Sequence, residues 1–527
     1  MPTPEEVLNT ASRINLNIPE AHVDDYLQLL TKTEEACALV LAQEDYKPKP
    51  DVARFPRTNI HRPTGKDNPL NGWAWRADAG DPVDSSGKLL SGKRVVFKDT
   101  ICMAEVPLLF GTDAFEGFVP DVDATVVSRV LESGGHVLGK AACENFSHGA
   151  TSSSSPYGPV ENPYTQGFST GGSSSGCGAL IASGAADMGM GGDQGGSVRI
   201  PASHCGIVGL KPTFGLVPYT GILSSESMID HVGPMATTVL DTARLLQAVA
   251  GDDDIDDRSA GAPKPADVPD YVSAVLAGRE KGVKGMKIGI LKEPFDSPHI
   301  VPGVTMAVKD AAERLRALGA EVEEVSLPIM SVVPAISHVL NKLGSAGTRQ
   351  GRQVGRRGLY LNDYWDQLLP WTQAKYDKAK YFVTGTAMSS EYAWGKYPVA
   401  YGRAMNLARK LRDDLNTTLA QFDVLIMPTV PHPARRHIVW ESGPAQWNAN
   451  AGPVAAFTSA FNLSGHPSLT VPVGFVEPMA IDCKCPTVSE IRLPVGLMVV
   501  GKWWDESTVL CVGDAVERSA DWKELHF

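Results

Sequence analysis

The 527-residue sequence predicts an α/β fold, a β-sheet carrying helices on its faces. Three observations predict it. Short apolar, β-branched runs such as KRVVFKDT (93–100) and HVLGKAA (136–142) read as strands. Between them, DATVVSRVLESGG (123–135) reads as a helix with Asp123 as N-cap and Gly134 as its stop. The same alternation returns downstream in GVKGMKIGIL (282–291) and VTMAVKDAAERLRALGAEVEEVSLP (304–328).

The elements follow in order. PEEVLNTASRI (4–14) and HVDDYLQLLTKTEEACALVLAQ (22–43) carry apolar residues at helical spacing and predict an N-terminal helical arm over 1–65. KPKPDVARFPRTNIHRPTGKDNPLNG (47–72) is a Pro/Gly/Asn connector into a large domain over 66–527. NPYTQGFST (162–170) is a poor strand, and SSGCGALIASGAA (174–186) is a small-residue helix suited to close packing. GDDDIDDRSAGAPKPADVPD (251–270) reads as a solvated acidic loop. Calcium is conceivable there, but the Gly and terminal Glu of an EF-hand loop are missing. Residues 360–401 are dense in aromatics, from Tyr360, Tyr364, Trp365 and Trp371 to Trp394, Tyr397 and Tyr401. They read as helices within a cover region around 330–420, some rings lining a cleft and others serving packing or a dimer surface.

Bulk composition narrows the function. The chain is 43% hydrophobic and 20% charged, which fits a soluble globular protein with a sizeable core. A formal net charge of -12 argues against a broad nucleic-acid surface. No signal peptide and no apolar run long enough to span a membrane is read, so a cytoplasmic protein is expected. The eight cysteines are scattered. Cys483 and Cys485 alone are close, which is a poor zinc signal, so free thiols and no metal are expected.

Two serine-rich stretches compete for the chemistry. In TGGSSSGCG (170–178), Gly172-Ser173-Ser174-Ser175-Gly176 fits the G-x-S-x-G elbow with Ser174 as nucleophile, and His432, His437 and His466 lie downstream as candidate bases. In GGDQGGSVRIPASHCGIVGLKP (191–212), Gly195 and Gly196 bare the backbone beside Ser197, so successive N–H groups can converge on one oxygen. A Gly-rich turn with a serine cap explains the second stretch equally well. None of the twelve histidines is paired with Ser197 in sequence. Lys98 ends the run VVF, where burial would favour its neutral form and make it a base. A lysine in this position also reads as a surface residue with its amine in water.

Taken together, these residues resemble the amidase signature family, whose triad is a lysine, a serine in a cis peptide and a nucleophilic serine. The family's G-G-S-S-G-G appears as Gly171–Gly176, and its D-x-G-G-S-x-R as Asp193–Arg199. DHVGPM (230–235), DVLIMPTVP (423–431), FTSAFNLSGHPSLTVPVG (457–474) and LPVGLMVVG (493–501) are similar to further family blocks, so roughly 70–515 is covered. The resemblance implies one large catalytic domain with a twisted mixed sheet covered by helices on both faces. It implies Ser197 as acylated nucleophile, Ser173 as proton relay and Lys98 as neutral base. Backbone N–H groups of Gln194, Gly195, Gly196 and Ser197 would form the oxyanion hole. Asp193, Arg199 and Ser174 would support the loop, Arg199 having substrate-carboxylate binding as its alternative.

Ser175 and Gly192 depart from the common pattern and are similar to the branch of nitrile-pathway amidases. That branch implies a small aliphatic or aryl monocarboxylic amide as substrate and ammonia as product, without cofactor, nucleic acid or membrane, and leaves a homodimer open. The alternatives are the A-type component of a glutamine-dependent amidotransferase complex, or a carbamate, anilide or lactam hydrolase of the same family.

Overall fold

Side chains along a strand alternate between the faces of a sheet, so strands apolar at every position need cover on both sides. The computed structural model describes all residues except 82–85, 116, 353, 452 and 483–489, and no side chains at 450, 451 and 453. Cys483 and Cys485 therefore lie outside the described residues. The chain divides into two units, Met1–Pro48 and Lys49–Phe527.

The first unit holds α1 (Pro4–Arg13) and α2 (Val23–Leu41). Thr3 starts α1 through a capping box, its hydroxyl accepting from Glu6 N–H while the Glu6 carboxylate accepts from Thr3 N–H.

The second unit is built on a 12-stranded mixed sheet. Its strands are β1 (Thr58–His61), β2 (Trp73–Ala79), β3 (Arg94–Lys98), β4 (His136–Ala141), β7 (Met188–Asp193), β8 (Val208–Lys211), β9 (His231–Ala236), β10 (Lys287–Leu291), β11 (Glu321–Val325), β12 (Val424–Pro428), β13 (Ser468–Val476) and β14 (Leu493–Val500). The short hairpin β5 (Glu161–Asn162) and β6 (Thr165–Ser169) stands apart. The order across the sheet is β1-β2-β4-β3-β7-β9-β8-β13-β14-β12-β10-β11. β3 runs parallel to β4 and β7, and β10 runs parallel to β11 and β12. The remaining pairings are antiparallel.

The helices are α3 (Thr125–Glu132), α4 (Ser175–Ala182), α5 (Arg199–Cys205), α6 (Val239–Val249), α7 (Tyr271–Lys281), α8 (Pro302–Ala317), α9 (Val333–Arg349), α10 (Asn362–Leu368), α11 (Gln373–Lys378), α12 (Tyr381–Lys396), α13 (Ala400–Leu419), α14 (Pro444–Ala451), α15 (Ser459–Ser464) and α16 (Glu506–Arg518). Val95, Phe97, Met188 and Met190 join one core with α3, α6, α7, α8 and α16. Val96 and Met235 face the other side and pack with Leu180 and Ile181 of α4 and with Ala202 and Cys205 of α5. On that same alternation Leu425, Met427, Met498 and Val500 meet α13 and α15. Both faces are thus helix-covered. Among the described residues no helix is long and apolar enough to cross a membrane.

Several local expectations change. The α3 N-cap is Ala124, not Asp123. The Asp123 carboxylate is drawn to the buried Arg57 guanidinium and to Ala104 N–H (2.9 Å), where a charge partner outweighs a cap. Residues 58–61 of the connector and 165–169 of the poor strand are extended, because each finds a neighbouring strand to pair with. The acidic loop is held by cations of the chain itself. Lys264 pairs with Asp252 and Asp254, Arg258 with Asp256, and Arg356 with Asp256 and Asp257. Among the described residues no cluster of metal-ligating side chains occurs.

Candidate active site

Parallel pairing of β3 and β7 sets Val95 opposite Met188 and Phe97 opposite Met190, and carries Lys98 to the end of β3 beside the glycines that close β7. Because Phe97 points to one face, Lys98 points to the other, where α4 begins. Lys98 is fully buried. Its Nζ lies 2.7 Å from Ser173 Oγ and 3.2 Å from the carbonyl of Gly192. Burial lowers its pKa from the ordinary lysine value. Cys143 and Cys177 would oppose this only as thiolates, and burial drives both thiols upward, Cys177 to about 12. Of the remaining anions nearby, Asp193 is already paired with Arg199 and Glu144 is saturated by the serine-rich loop.

The Gly172–Ser173 peptide is cis. Ser173 Oγ also lies 3.0 Å from Ser147 Oγ. The left-handed backbone of Phe146 and Ser147 turns the chain at that point. Glu144 organises the same loop. Its carboxylate accepts from the N–H groups of Thr151 (2.5 Å), Ser152 (2.5 Å) and Ser154 (3.0 Å).

Ser197 follows β7 and precedes α5. It is 9% exposed and opens into a cleft of about 230 Å³ shared with His148, Gln194, Gly195 and α9. Among the described residues none makes a hydrogen bond with Ser197 Oγ, and the Ser173 hydroxyl is engaged by Lys98 and Ser147 instead. The loop is clamped by Asp193 and Arg199, both wholly buried. Arg199 Nε and Nη2 each donate to the Asp193 carboxylate at 3.0 Å, Nη1 donates to Thr458 O at 2.8 Å, and Nη2 donates to Asn462 Oδ1 at 2.6 Å. Burial alone would raise the Asp193 carboxyl. The Arg199 charge and the hydrogen bonds from Arg199, Asn462 and Val198 outweigh it and hold the group well below the usual carboxylate range. With its fifth N–H directed from Nη1 to Met498 Sδ at 3.6 Å, Arg199 has no donor free for a substrate carboxylate.

Two sequence expectations are corrected by this geometry. The N–H of Gly196 donates to Asp193 Oδ1 at 2.6 Å, so it is not a free donor. The N–H groups of Gln194, Gly195 and Ser197 have no acceptor among the described residues. The rings of 360–401 do not line the Ser197 cleft. Tyr364 packs edge-on against Phe110, Phe115 and Phe118, and Trp371 packs against Phe146. These aromatics brace the Ser147 loop from behind, because an apolar ring is stabilised more by a dry cluster than by a polar cleft.

The elbow reading of Ser174 fails. Its hydroxyl is buried and donates to Gly192 O at 3.1 Å. His432, His437 and His466 bond elsewhere, to Pro433, to Ser153 and Glu161, and to Asn416. Ser147, His148 and Lys342 escape a reading of the sequence, because they carry no motif and reach the site from separate segments.

Gly196 and Gly195 differ sharply. Gly196 has φ +135°, and a Cβ there would overlap the Thr458 hydroxyl and approach Thr458 Cβ to 2.7 Å; a Cβ on Gly195 meets nothing within 4 Å. Gly196→Ala is expected to lower stability by about 1–3 kcal/mol, and Gly195→Ala by much less. Urea unfolding midpoints of the two variants check this; equal midpoints would remove the close-approach argument.

The Amidase family matches residues 71–510 of the chain. An enantioselective amidase of Rhodococcus rhodochrous is 36% identical over 463 residues, covering 85% of this chain and 83% of the relative. The A-type component of the glutamyl-tRNA(Gln) amidotransferase of Synechococcus sp. (strain CC9902) is 33% identical, covering 85% and 86%. Among solved structures, the peptide amidase of Stenotrophomonas maltophilia is similar at a TM-score of 0.66 and 29% identity, covering 82% of this chain and 84% of that one.

Proposed function

The chain belongs to the amidase signature family, and on that premise we propose that it hydrolyses a small primary amide to a carboxylate and ammonia through an acyl-enzyme on Ser197. The observation that carries this reading is the 2.7 Å approach of a buried lysine amine to Ser173 Oγ, beside a serine that opens into a cleft.

The proton positions follow from donor counting. A neutral Lys98 donates one N–H to Gly192 O and offers its lone pair to the Ser173 hydroxyl. Ser173 then keeps two acceptor sites, one for the Ser147 hydroxyl and one for Ser197. When substrate arrives, Ser197 Oγ attacks the carbonyl carbon. Its proton passes to Ser173 as the Ser173 proton passes to Lys98. The developing oxyanion is received by the N–H groups of Gln194, Gly195 and Ser197. Lys98 returns the proton through Ser173 to the nitrogen, the C–N bond breaks and ammonia leaves. Water repeats the cycle on the acyl-enzyme and releases the carboxylate. The cleft offers no aromatic ring from 360–401, so aliphatic acyl groups suit it better than aryl ones.

Ammonia release from a panel of short aliphatic amides, with Ser197→Ala as control, tests the reading. The wild type is expected to release ammonia and the variant to lose on the order of 10⁴-fold or more. The desolvated Lys98 must be neutral to act, so kcat/KM is expected to rise with pH through its lowered pKa and then level off. A flat profile across that range would remove Lys98 as the base.

The relatives named as components of glutamyl-tRNA(Gln) amidotransferase support a second reading, in which the chain works only inside a complex. Turnover of simple amides by the purified chain alone favours the first reading; release only with partner proteins added favours the second.

A further inference from the structure

Helix α9 turns one face to the cleft. Pro334, Ser337, His338, Asn341 and Lys342 follow the three- and four-residue steps of that face. Lys342 stands at its inner end, and Nζ donates to Thr386 Oγ1 of α12 at 2.9 Å. Thr386 Oγ1 lies 3.1 Å from His148 Nε2 and donates to Phe382 O at 2.7 Å. Arg349 Nη2, two turns further along α9, donates to His148 Nδ1 at 3.1 Å.

These contacts fix the protons. A guanidinium only donates, so His148 Nδ1 accepts. Burial and the nearby charges of Arg349 and Lys342 push the His148 pKa well below its ordinary value, so the ring is neutral and its proton sits on Nε2. Nε2–H therefore donates to Thr386 Oγ1, whose own proton goes to Phe382 O. Every acceptor in this network is occupied, and donors remain in surplus. Lys342 keeps two N–H groups, and Arg349 Nη1 is buried with no acceptor among the described residues.

No carboxylate pairs with Lys342 or Arg349 among the described residues. Burial lowers Lys342 to about 8 and Arg349 to about 10; the Tyr364 phenol partly opposes the Arg349 shift, and no Asp or Glu opposes either. Glu226 packs against α9 at Gly344, and its carboxylate accepts from the Tyr401 hydroxyl at 2.9 Å. The cleft lining contains no Asp or Glu among the described residues. Two desolvated cations without a counter-charge are costly, and an anion in the cleft relieves that cost.

We propose that Lys342 receives a carboxylate on the acyl part of the substrate, so that the substrate class is the half-amides of short aliphatic dicarboxylic acids. This rests on the amide-hydrolase reading above. With ammonia as the leaving group, a charge on the substrate can only be carried by the acyl part. The reaction is half-amide plus water giving dicarboxylate plus ammonium: the C–N bond breaks and the acyl carbon gains the oxygen of water. The proposal narrows the expected substrate away from plain monocarboxylic amides.

The test pairs succinamate, glutaramate and adipamate with butanamide, pentanamide and hexanamide, and reads the kcat/KM ratio within each pair. A ratio taken on one preparation cancels any loss of folded protein. For at least one chain length the wild type is expected to favour the half-amide by about 10-fold or more. Lys342→Met is expected to cut that ratio on the order of 10- to 100-fold, chiefly through KM, and Lys342→Arg to retain most of it. Turnover of the neutral amides at equal or better efficiency by the wild type overturns the proposal and leaves the hydrolase reading standing. So does an unchanged ratio in Lys342→Met. Absence of any Ser197-dependent turnover across all six amides overturns both.

Discussion

Lys98→Met is expected to lower kcat about 10⁴-fold without lowering the melting temperature. The two halves of this expectation come from one fact, that the amine has no water around it. Removing it takes away the only group in described hydrogen-bond contact with Ser173 that can take up a proton, since the other neighbour is the Ser147 hydroxyl. Removing it also spares the fold the desolvation of a buried amine, and methionine fills nearly the same volume. The sign with pH follows. The folded lysine pKa is lowered, so between that value and 10.5 the unfolded chain binds more protons than the folded one. Wild-type stability from this group is full above 10.5 and is lost as pH falls through the folded pKa. Methionine has no such loss, so the variant's relative stability is expected to improve toward lower pH. Calorimetric melting at several pH values, with kcat on the same preparations, checks both halves. A variant that melts far below wild type at every pH would show Lys98 to be a structural cation instead of a base.

Arg199→Met is expected to destabilise the fold by about 3–5 kcal/mol and to abolish turnover. Asp193 would remain buried as an uncompensated carboxylate, and the loop that shapes Gly196 and Ser197 would lose its clamp. Without the guanidinium, the Asp193 carboxyl rises from its depressed value, burial being opposed only by the N–H groups of Gly196, Val198 and Asn462. The folded variant then binds more protons than folded wild type, so its deficit relative to wild type is expected to widen as pH rises from strongly acid values toward neutrality. Adding Asp193→Asn removes the orphaned charge and is expected to restore part of the stability but not the activity. Denaturant unfolding of single and double variants reads this directly. A single variant as stable as wild type would mean the pair does not hold the loop.

Much of this site is legible along the chain. Lys98 closes an apolar run, and the interior draws in whatever follows such a strand. Gly195, Gly196 and Ser197 sit between an aspartate and an arginine, a local pattern that the fold turns into a clamp. Asp123 has the look of a cap in sequence because its competitor, Arg57, lies 66 residues away. The aromatic run 360–401 has the look of cleft lining because a ring's sequence neighbours do not say which side of a helix meets water. Tyr364 is wholly buried while Tyr392 is 61% exposed.

The α/β alternation, the order of Lys98, Ser173 and Ser197, and the family all stand in the linear chain. Each is written in local pattern and in motifs a few residues long. Three outcomes wait for folding: Gly196 N–H is spent on Asp193, Ser147 stands against Ser173, and Lys342 meets the cleft with no Asp or Glu beside it among the described residues. They depend on which groups from distant segments share a volume without water. Hydrogen-bond counting and charge pairing act on that shared volume, and linear spacing does not encode it.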